Sequence, residues 1–229
     1  MPELLVSIRN AEEAQIARLG GAHWIDAKEP VNGPLGKAES QVLAKIAIEN
    51  KGVSPLSAAM GEISKYSDLL FDNSRLDSYS LIKFGTSSAT FSSIHERLGE
   101  IARHSQRSPQ SLVLAAYADF HRAKSPAPDL FPVFCAQEGL KYFLIDTFIK
   151  DNSHLFSWLS VQVLANIRDN CEKLGIKLAL AGRLGTNHLS ALKEIAPHIV
   201  GLRSAVCEDG IREKSISLER ICFWKSQLD

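Results

Sequence analysis

Neither sign of charge dominates this chain: 26 lysines and arginines meet 26 aspartates and glutamates over 229 residues. A zero net charge removes the electrostatic argument for nucleic acid or an anionic membrane as a partner. No apolar run approaches the ~20 residues that a membrane-spanning helix needs. The opening Met1-Pro2-Glu3-Leu4-Leu5-Val6-Ser7 lacks the basic region and long apolar stretch of a signal peptide and reads directly as a first strand. Cysteine is scarce, and Cys135, Cys171, Cys207 and Cys222 form no CxxC pair. No His/Cys cluster has zinc spacing. The expectation is free thiols in a reducing cytoplasm, with Cys171 and Cys222 packing on helix faces. No low-complexity segment or linker divides the sequence, so residues 1–229 are expected to form one domain.

What is present is an alternation of strand and helix signals. Strands are expected at Leu4–Ser7, Trp24–Ala27, Leu56–Met60, Leu81–Phe84, Leu112–Ala116, Tyr142–Asp146, Leu178–Ala181 and Ile199–Leu202. These runs are nearly continuous in apolar residues, as parallel strands buried on both faces require. Helical faces fall between them: Ile94, Leu98 and Ile101; Leu164, Ile167, Cys171 and Leu174; Leu189, Leu192 and Ile195. Asn10 reads as a helix N-cap with Glu13 in a capping-box position, and Gly175 as a C-cap. A short helix is expected around Tyr66–Phe71 and a last one from about Ser217 to Gln227. Eight β/α units at this length favour an α/β fold of the (β/α)8 TIM-barrel type over an open doubly wound sheet.

Three lysines end apolar strands: Lys28 after Trp24-Ile25-Asp26-Ala27, Lys83 in Leu81-Ile82-Lys83-Phe84-Gly85, and Lys150 after Phe143-Leu144-Ile145-Asp146-Thr147-Phe148-Ile149. Burying a lone ammonium is costly, so three such positions suggest one shared pocket at the C-terminal ends of the strands. Strand alternation puts Asp26 on the same side as Lys28. Crowded, partly buried ammonium groups lose protons more easily, and a neutral lysine attacks carbonyls to form a Schiff base. Asp26 or Asp146 can then move protons. The competing reading is three ordinary strand-end charges reaching solvent.

An anion site is expected at Leu180-Ala181-Gly182-Arg183 and Gly201-Leu202-Arg203-Ser204, because loops after strands seven and eight of a barrel recurrently hold phosphate. Glycine admits backbone N–H groups to a phosphate and arginine adds a bidentate charge; helix-capping glycines with surface arginines are the alternative. The segment Glu29–Lys37, rich in Gly and Pro, is expected to shape the mouth. Asp119, in Tyr117-Ala118-Asp119, reads equally as a pocket carboxylate or a helix cap.

Taken in order, these segments resemble the (5-formylfuran-3-yl)methyl phosphate synthase family, which makes the furan precursor of methanofuran. The resemblance rests on Gly20-Gly21-Ala22, Ile25-Asp26-Ala27-Lys28-Glu29-Pro30, Ser57-Ala58-Ala59-Met60-Gly61-Glu62, Ile82-Lys83-Phe84-Gly85, Tyr117-Ala118-Asp119, Asp146-Thr147 followed by Lys150-Asp151, Leu180-Ala181-Gly182 and Ile199-Val200-Gly201-Leu202-Arg203. It implies a TIM-barrel lyase that condenses two molecules of glyceraldehyde 3-phosphate into a furan aldehyde phosphate, with loss of phosphate and water. It implies Lys28 as the Schiff-base residue, with Lys83, Lys150, Asp26 and Asp146 as its pocket partners and Gly182, Gly201 and Arg203 holding the retained phosphate. No metal or organic cofactor is implied. The residues alone leave Lys83 or Lys150 open as the imine former. They also leave open a class I aldolase, a phosphosugar isomerase or a non-catalytic phosphometabolite-binding barrel, and the apolar helix faces leave room for a homo-oligomer. Three stretches depart from the family pattern: Glu29 where Asn is usual before the proline, residues Ile63–Ser80, and the tail Glu208–Ser215.

Overall fold

The computed structural model describes residues 1–67 and 76–229. Eight parallel strands close into a barrel in chain order: β1 (Glu3–Ile8), β2 (Trp24–Ala27), β3 (Leu56–Glu62), β4 (Leu81–Gly85), β5 (Leu112–Tyr117), β6 (Tyr142–Asp146), β7 (Lys177–Leu180) and β8 (Ile199–Leu202). The expected strands are all present, with ends moved by a residue or two. β3 runs on to Glu62 through a register shift between Ala59 and Glu62. β7 starts one residue early, at Lys177.

Outside the barrel lie α1 (Ala11–Leu19), α2 (Ser40–Asn50), α3 (Phe91–Ser105), α4 (Phe120–Ala123), α5 (Phe131–Gln137), α6 (Leu155–Trp158), α7 (Val161–Lys173), α8 (Leu189–Ile195) and α9 (Leu218–Leu228). Among the described residues, no helix is long and apolar enough to cross a membrane. The helix expected around Tyr66–Phe71 falls mostly outside the described residues, and Tyr66 itself follows a 3-10 turn at Ile63–Lys65.

Strand alternation sorts side chains into two apolar layers. Outward residues such as Leu4, Val6, Ile25, Ile82, Leu114, Phe143, Leu178 and Val200 pack against helix faces. The helices meet them at the expected spacing: Ile94, Leu98 and Ile101 on α3, and Leu164, Ile167 and Cys171 on α7, are all buried. Leu174 is not part of that face; it ends α7 half in solvent, and Gly175 takes the positive φ that follows. Cys222 likewise faces solvent on α9, whereas Cys135, Cys171 and Cys207 are buried. Inward residues Trp24, Leu81, Val113, Leu144, Ala179 and Ile199 form the second layer inside the barrel. Trp24 meets Tyr142 edge-on at 5.8 Å and donates its indole N–H to Glu3 at 2.7 Å, which closes the floor.

Asn10 caps α1 by accepting the Glu13 N–H at 2.8 Å. Glu13 does not return to the Asn10 N–H as a capping box would. It accepts instead from the Arg9 N–H at 2.8 Å and from Arg203 on the far side of the chain.

Candidate active site

Above the floor the barrel opens into a cavity of about 300 Å³ at the C-terminal ends of the strands. Small residues border one side of it: Ala179 on β7, Ala181 just beyond β7, and Gly201 on β8. Opposite them stand the charged residues. Asp26, Lys28, Lys83, Asp146 and Lys150 all line this one cavity, although the sequence separates them widely.

Two of the three lysines carry a matched carboxylate. Lys83 Nζ lies 2.6 Å from Asp26 Oδ1, and both side chains are almost fully buried. Strand register explains the contact: Ser7 pairs with Asp26 and Asp26 with Ser57, so two hydroxyls flank the carboxylate. Ser7 donates to Oδ2 at 2.9 Å and Ser57 to Oδ1 at 2.8 Å. A buried carboxylate with every oxygen engaged is tolerable where a bare one is not. Lys150 Nζ lies 2.7 Å from Asp146 Oδ1 and 3.2 Å from the Thr147 hydroxyl. Asp146 Oδ1 also accepts the Thr147 N–H at 2.7 Å. Burial alone would raise the Asp146 pKa, but the charges of Lys150 and Lys28 and these hydrogen bonds outweigh it, and the carboxyl ends below its ordinary value. Burial draws Lys150 downward against the pull of Asp146.

Lys28 is different. Its backbone N–H donates to the Ile8 carbonyl at 3.0 Å, continuing the β1–β2 ladder, but among the described residues the cavity lysines that form ion pairs are Lys83 and Lys150, not Lys28. Burial brings its pKa down from 10.5 to about 7; Lys150 and Lys83 add to the shift, while Asp146 and Asp26 oppose it. At neutral pH such a side chain gives up its proton far more readily than an ordinary lysine.

The anion side departs more from expectation. Gly182, Arg183, Gly201, Arg203 and Ser204 do border the cavity. Arg203, however, has all its N–H groups committed. Nη1 donates to Glu13 at 2.5 Å and to the Ser7 carbonyl at 3.0 Å. Nη2 donates to Glu13 at 3.2 Å and the Lys214 carbonyl at 2.8 Å, and Nε to the Arg212 carbonyl at 2.7 Å. Its side chain is a buried brace with nothing left for a phosphate. Arg183, in a left-handed conformation at φ 50°, is exposed and turns to the Asp151 carbonyl and to Asn152 Oδ1 at 3.0 Å. Gly182 adopts φ 103°, and a Cβ there would press on Thr147 at 3.1 Å; glycine is needed on both counts.

Asp119 is the N-cap residue of α4, its carbonyl accepting the Arg122 N–H at 2.8 Å, but its carboxylate neither caps that helix nor lines the cavity. The carboxylate is buried and accepts the N–H groups of Phe148 and Ile149. The segment Glu29–Lys37 does shape the mouth: Leu35 reaches into the inner layer and its carbonyl accepts the Gly61 N–H at 2.8 Å. Sequence reasoning missed Arg212, which lines the cavity from the stretch beyond β8. Its only local signal is one charge among several.

The family model for 4-HFC-P synthase matches residues 4–225. A Methanosarcina acetivorans protein named (5-formylfuran-3-yl)methyl phosphate synthase is 32% identical over 234 residues, covering 96% of each chain. Its namesake from Methanocaldococcus jannaschii is 32% identical over 219 residues, covering 91% of this chain and 92% of that one. Among solved structures, phosphoribosyl anthranilate isomerase from Thermus thermophilus superposes with a TM-score of 0.64 at 12% identity, over 99% of this chain and 98% of that one. A 3-hexulose-6-phosphate synthase gives 0.62 at 13% identity, over 96% and 98%. These two share the barrel, and the likeness concerns fold alone. The sequence relatives reach further: they match along nearly the whole barrel, and the chain belongs to the 4-HFC-P synthase family of enzymes.

Proposed function

We propose that this protein is a carbon–oxygen lyase that condenses two molecules of glyceraldehyde 3-phosphate into 4-(hydroxymethyl)-2-furancarboxaldehyde phosphate, releasing inorganic phosphate and water, in methanofuran-type cofactor biosynthesis. The observation that carries the reading is the contrast among the lysines. Lys83 and Lys150 are each held by an aspartate, whereas Lys28 has no carboxylate partner among the described residues and a pKa near 7. A neutral amine beside two bound ammonium groups is the natural nucleophile for a triose aldehyde.

Attack by Lys28 Nζ and loss of water give an iminium, which acidifies the neighbouring carbon. The Asp146–Lys150 pair, on the facing strand end, is placed to take that proton and return it later. The resulting enamine is the carbon nucleophile toward the second triose. One phosphate is then eliminated, the ring oxygen closes with dehydration, and cleavage of the C–N bond returns Lys28 to the free amine, for a net loss of one phosphate and two waters from the two trioses. Asp26 fixes Lys83 beside Lys28, and the pair keeps the interior balanced while charge moves. Backbone at Gly182, Gly201 and Ser204 borders the roomy β7–β8 side and suits the retained phosphate. A reducing cytoplasm suits the four free thiols.

The test is incubation with glyceraldehyde 3-phosphate alone, followed by mass spectrometry and free-phosphate measurement. The reading expects a furan aldehyde phosphate with one phosphate released per two trioses, abolished by Lys28→Arg. A six-carbon aldol product without phosphate release would replace it with an aldolase, and no turnover with no borohydride-trapped adduct would leave a binding barrel.

A further inference from the structure

Among the described residues, and Lys28 aside, the cavity's cations are committed to partners, with one exception. Lys83 and Lys150 are paired, Arg203 is saturated, and Arg183 faces Asp151 and Asn152. Arg212 has, among the described residues, only a 3.5 Å bond from Nη2 to the Gly33 carbonyl and Glu213 at 3.8 Å from Nε. Its side chain is mostly shielded, and it lines the same cavity as Asp146 and Lys150; burial draws its pKa down, and the charge of Asp146 opposes that shift.

The position of Arg212 is enforced. Residues 208–215 form a strap closed at its base by an antiparallel bridge between Cys207 and Ile216, with the Glu208 N–H on the Ser215 carbonyl at 2.9 Å. Three successive carbonyls of the strap are held from the barrel. Arg203 Nε takes that of Arg212 at 2.7 Å, Arg9 Nη1 that of Glu213 at 2.7 Å, and Arg203 Nη2 that of Lys214 at 2.8 Å. Arg203 is anchored in turn by Glu13, and Arg9 by Glu29 at 3.0 Å. A loop fixed this firmly presents its guanidinium at little cost in entropy.

Two trioses bring two phosphates, each carrying about −1.5 to −2 at neutral pH. Small inward residues on β7 and β8 leave room for one. We infer that Arg212 is the receptor for the second phosphate, the one that leaves; this rests on the condensation reading above. The planar fork of arginine suits a phosphate bidentately. Its place on the wall of the cavity that Asp146 and Lys150 also line matches the chemistry of departure. The C–O bond to that phosphate breaks, the electron pair leaves on the phosphate oxygen, and the proton from the adjacent carbon passes to the Asp146–Lys150 pair.

The test compares wild type, Arg212→Gln and Arg212→Lys. Arg212→Gln is expected to raise KM for glyceraldehyde 3-phosphate about tenfold or more and slow phosphate release, with Arg212→Lys intermediate, while borohydride still traps a single triose on Lys28 to the wild-type extent. Calorimetric titration supplies an arm independent of turnover. Wild type is expected to bind fructose 1,6-bisphosphate about tenfold or more tighter than inorganic phosphate, and Arg212→Gln to lose only that gain. Equal bisphosphate affinity in wild type and Arg212→Gln overturns the inference. So does loss of the single-triose adduct in a variant with wild-type circular dichroism, because Arg212 would then serve the first triose. If wild type releases no phosphate from trioses yet Arg212→Gln loses the bisphosphate gain, the condensation reading falls and the second anion subsite stands.

Discussion

The Asp119 carboxylate accepts the Phe148 N–H at 2.5 Å, and its other oxygen takes the next amide, Ile149, at 3.0 Å. Asp119 follows β5, while Phe148 and Ile149 lie between Asp146 and Lys150 beyond β6. The contact therefore fixes the loop that presents Lys150 to Asp146. The Phe148 ring adds a second hold by packing on Tyr117 at 5.1 Å.

Removing that hold should cost rate before it costs substrate binding. Asp119→Ala orphans two amides, an effect of about 1–3 kcal/mol on stability. It is expected to lower turnover about 10- to 100-fold by loosening the Lys150 geometry. Borohydride trapping of the triose on Lys28 should remain near the wild-type level. Single-turnover kinetics beside a trapping assay separates the two, and equal losses in both would put Asp119 in the binding site itself.

Lys28 ties activity and stability to pH in opposite ways. Activity should rise with pH through about 7, as the amine loses its proton. A lysine whose folded pKa lies below its unfolded value costs stability wherever it is charged. The cost is full below about 7, shrinks as pH rises, and is gone near 10.5, where the unfolded chain has also lost the proton. Lys28→Met should abolish the adduct yet stabilise the fold by about 1–3 kcal/mol at pH 7, and by little near pH 10.5. Thermal melts across that range check the sign.

The two ion pairs should differ in what they cost when broken. Asp26→Asn leaves the Lys83 ammonium in a nearly closed site, and destabilisation of about 3–5 kcal/mol is expected. Asp146→Asn leaves Lys150, whose side chain is 22% exposed and can turn toward water, so the loss should be smaller. Urea denaturation of the two variants gives the comparison directly, and a larger loss for Asp146→Asn would contradict it.

Gly36→Ala should damage the mouth without touching a charge. A Cβ at Gly36 would collide with the Glu29 carbonyl and with Asn32, mostly backbone that cannot yield. The Glu29 N–H bond to the Gly36 carbonyl at 2.9 Å would shift with it, moving the loop that follows Lys28. A stability loss of about 1–3 kcal/mol and a marked fall in activity are expected. Wild-type activity in Gly36→Ala would show that the loop adapts.

The barrel was legible in the sequence because strands buried on both faces leave continuous apolar runs, and Leu112–Tyr117 or Phe143–Asp146 read no other way. The convergence of Lys28, Lys83 and Lys150 was legible for the same reason, since strand ends of a closed sheet share a mouth. The difference between these lysines was not. It depends on Ser7 and Ser57 arriving beside Asp26 through register, and on Lys83 reaching across a strand to Oδ1, the oxygen that Ser57 also holds. Arg203 looked like an anion ligand because its partner Glu13 lies 190 residues earlier and reads locally as part of a helix cap. Asp119 was ambiguous because its partners are backbone amides of a neighbouring loop, which leave no mark in the sequence. Arg212 sits in a stretch without periodicity, placed by arginines elsewhere.

The empty side of the barrel also carries a consequence for selectivity. Ala179, Ala181 and Gly201 line the cavity where bulkier residues would fill it, and a Cβ on Gly201 would already touch Ala181 at 3.3 Å. The wall is thus a ruler graduated in missing methyl groups. Adding carbons there one at a time should shorten the longest molecule the enzyme accepts while leaving every charged group where it stands.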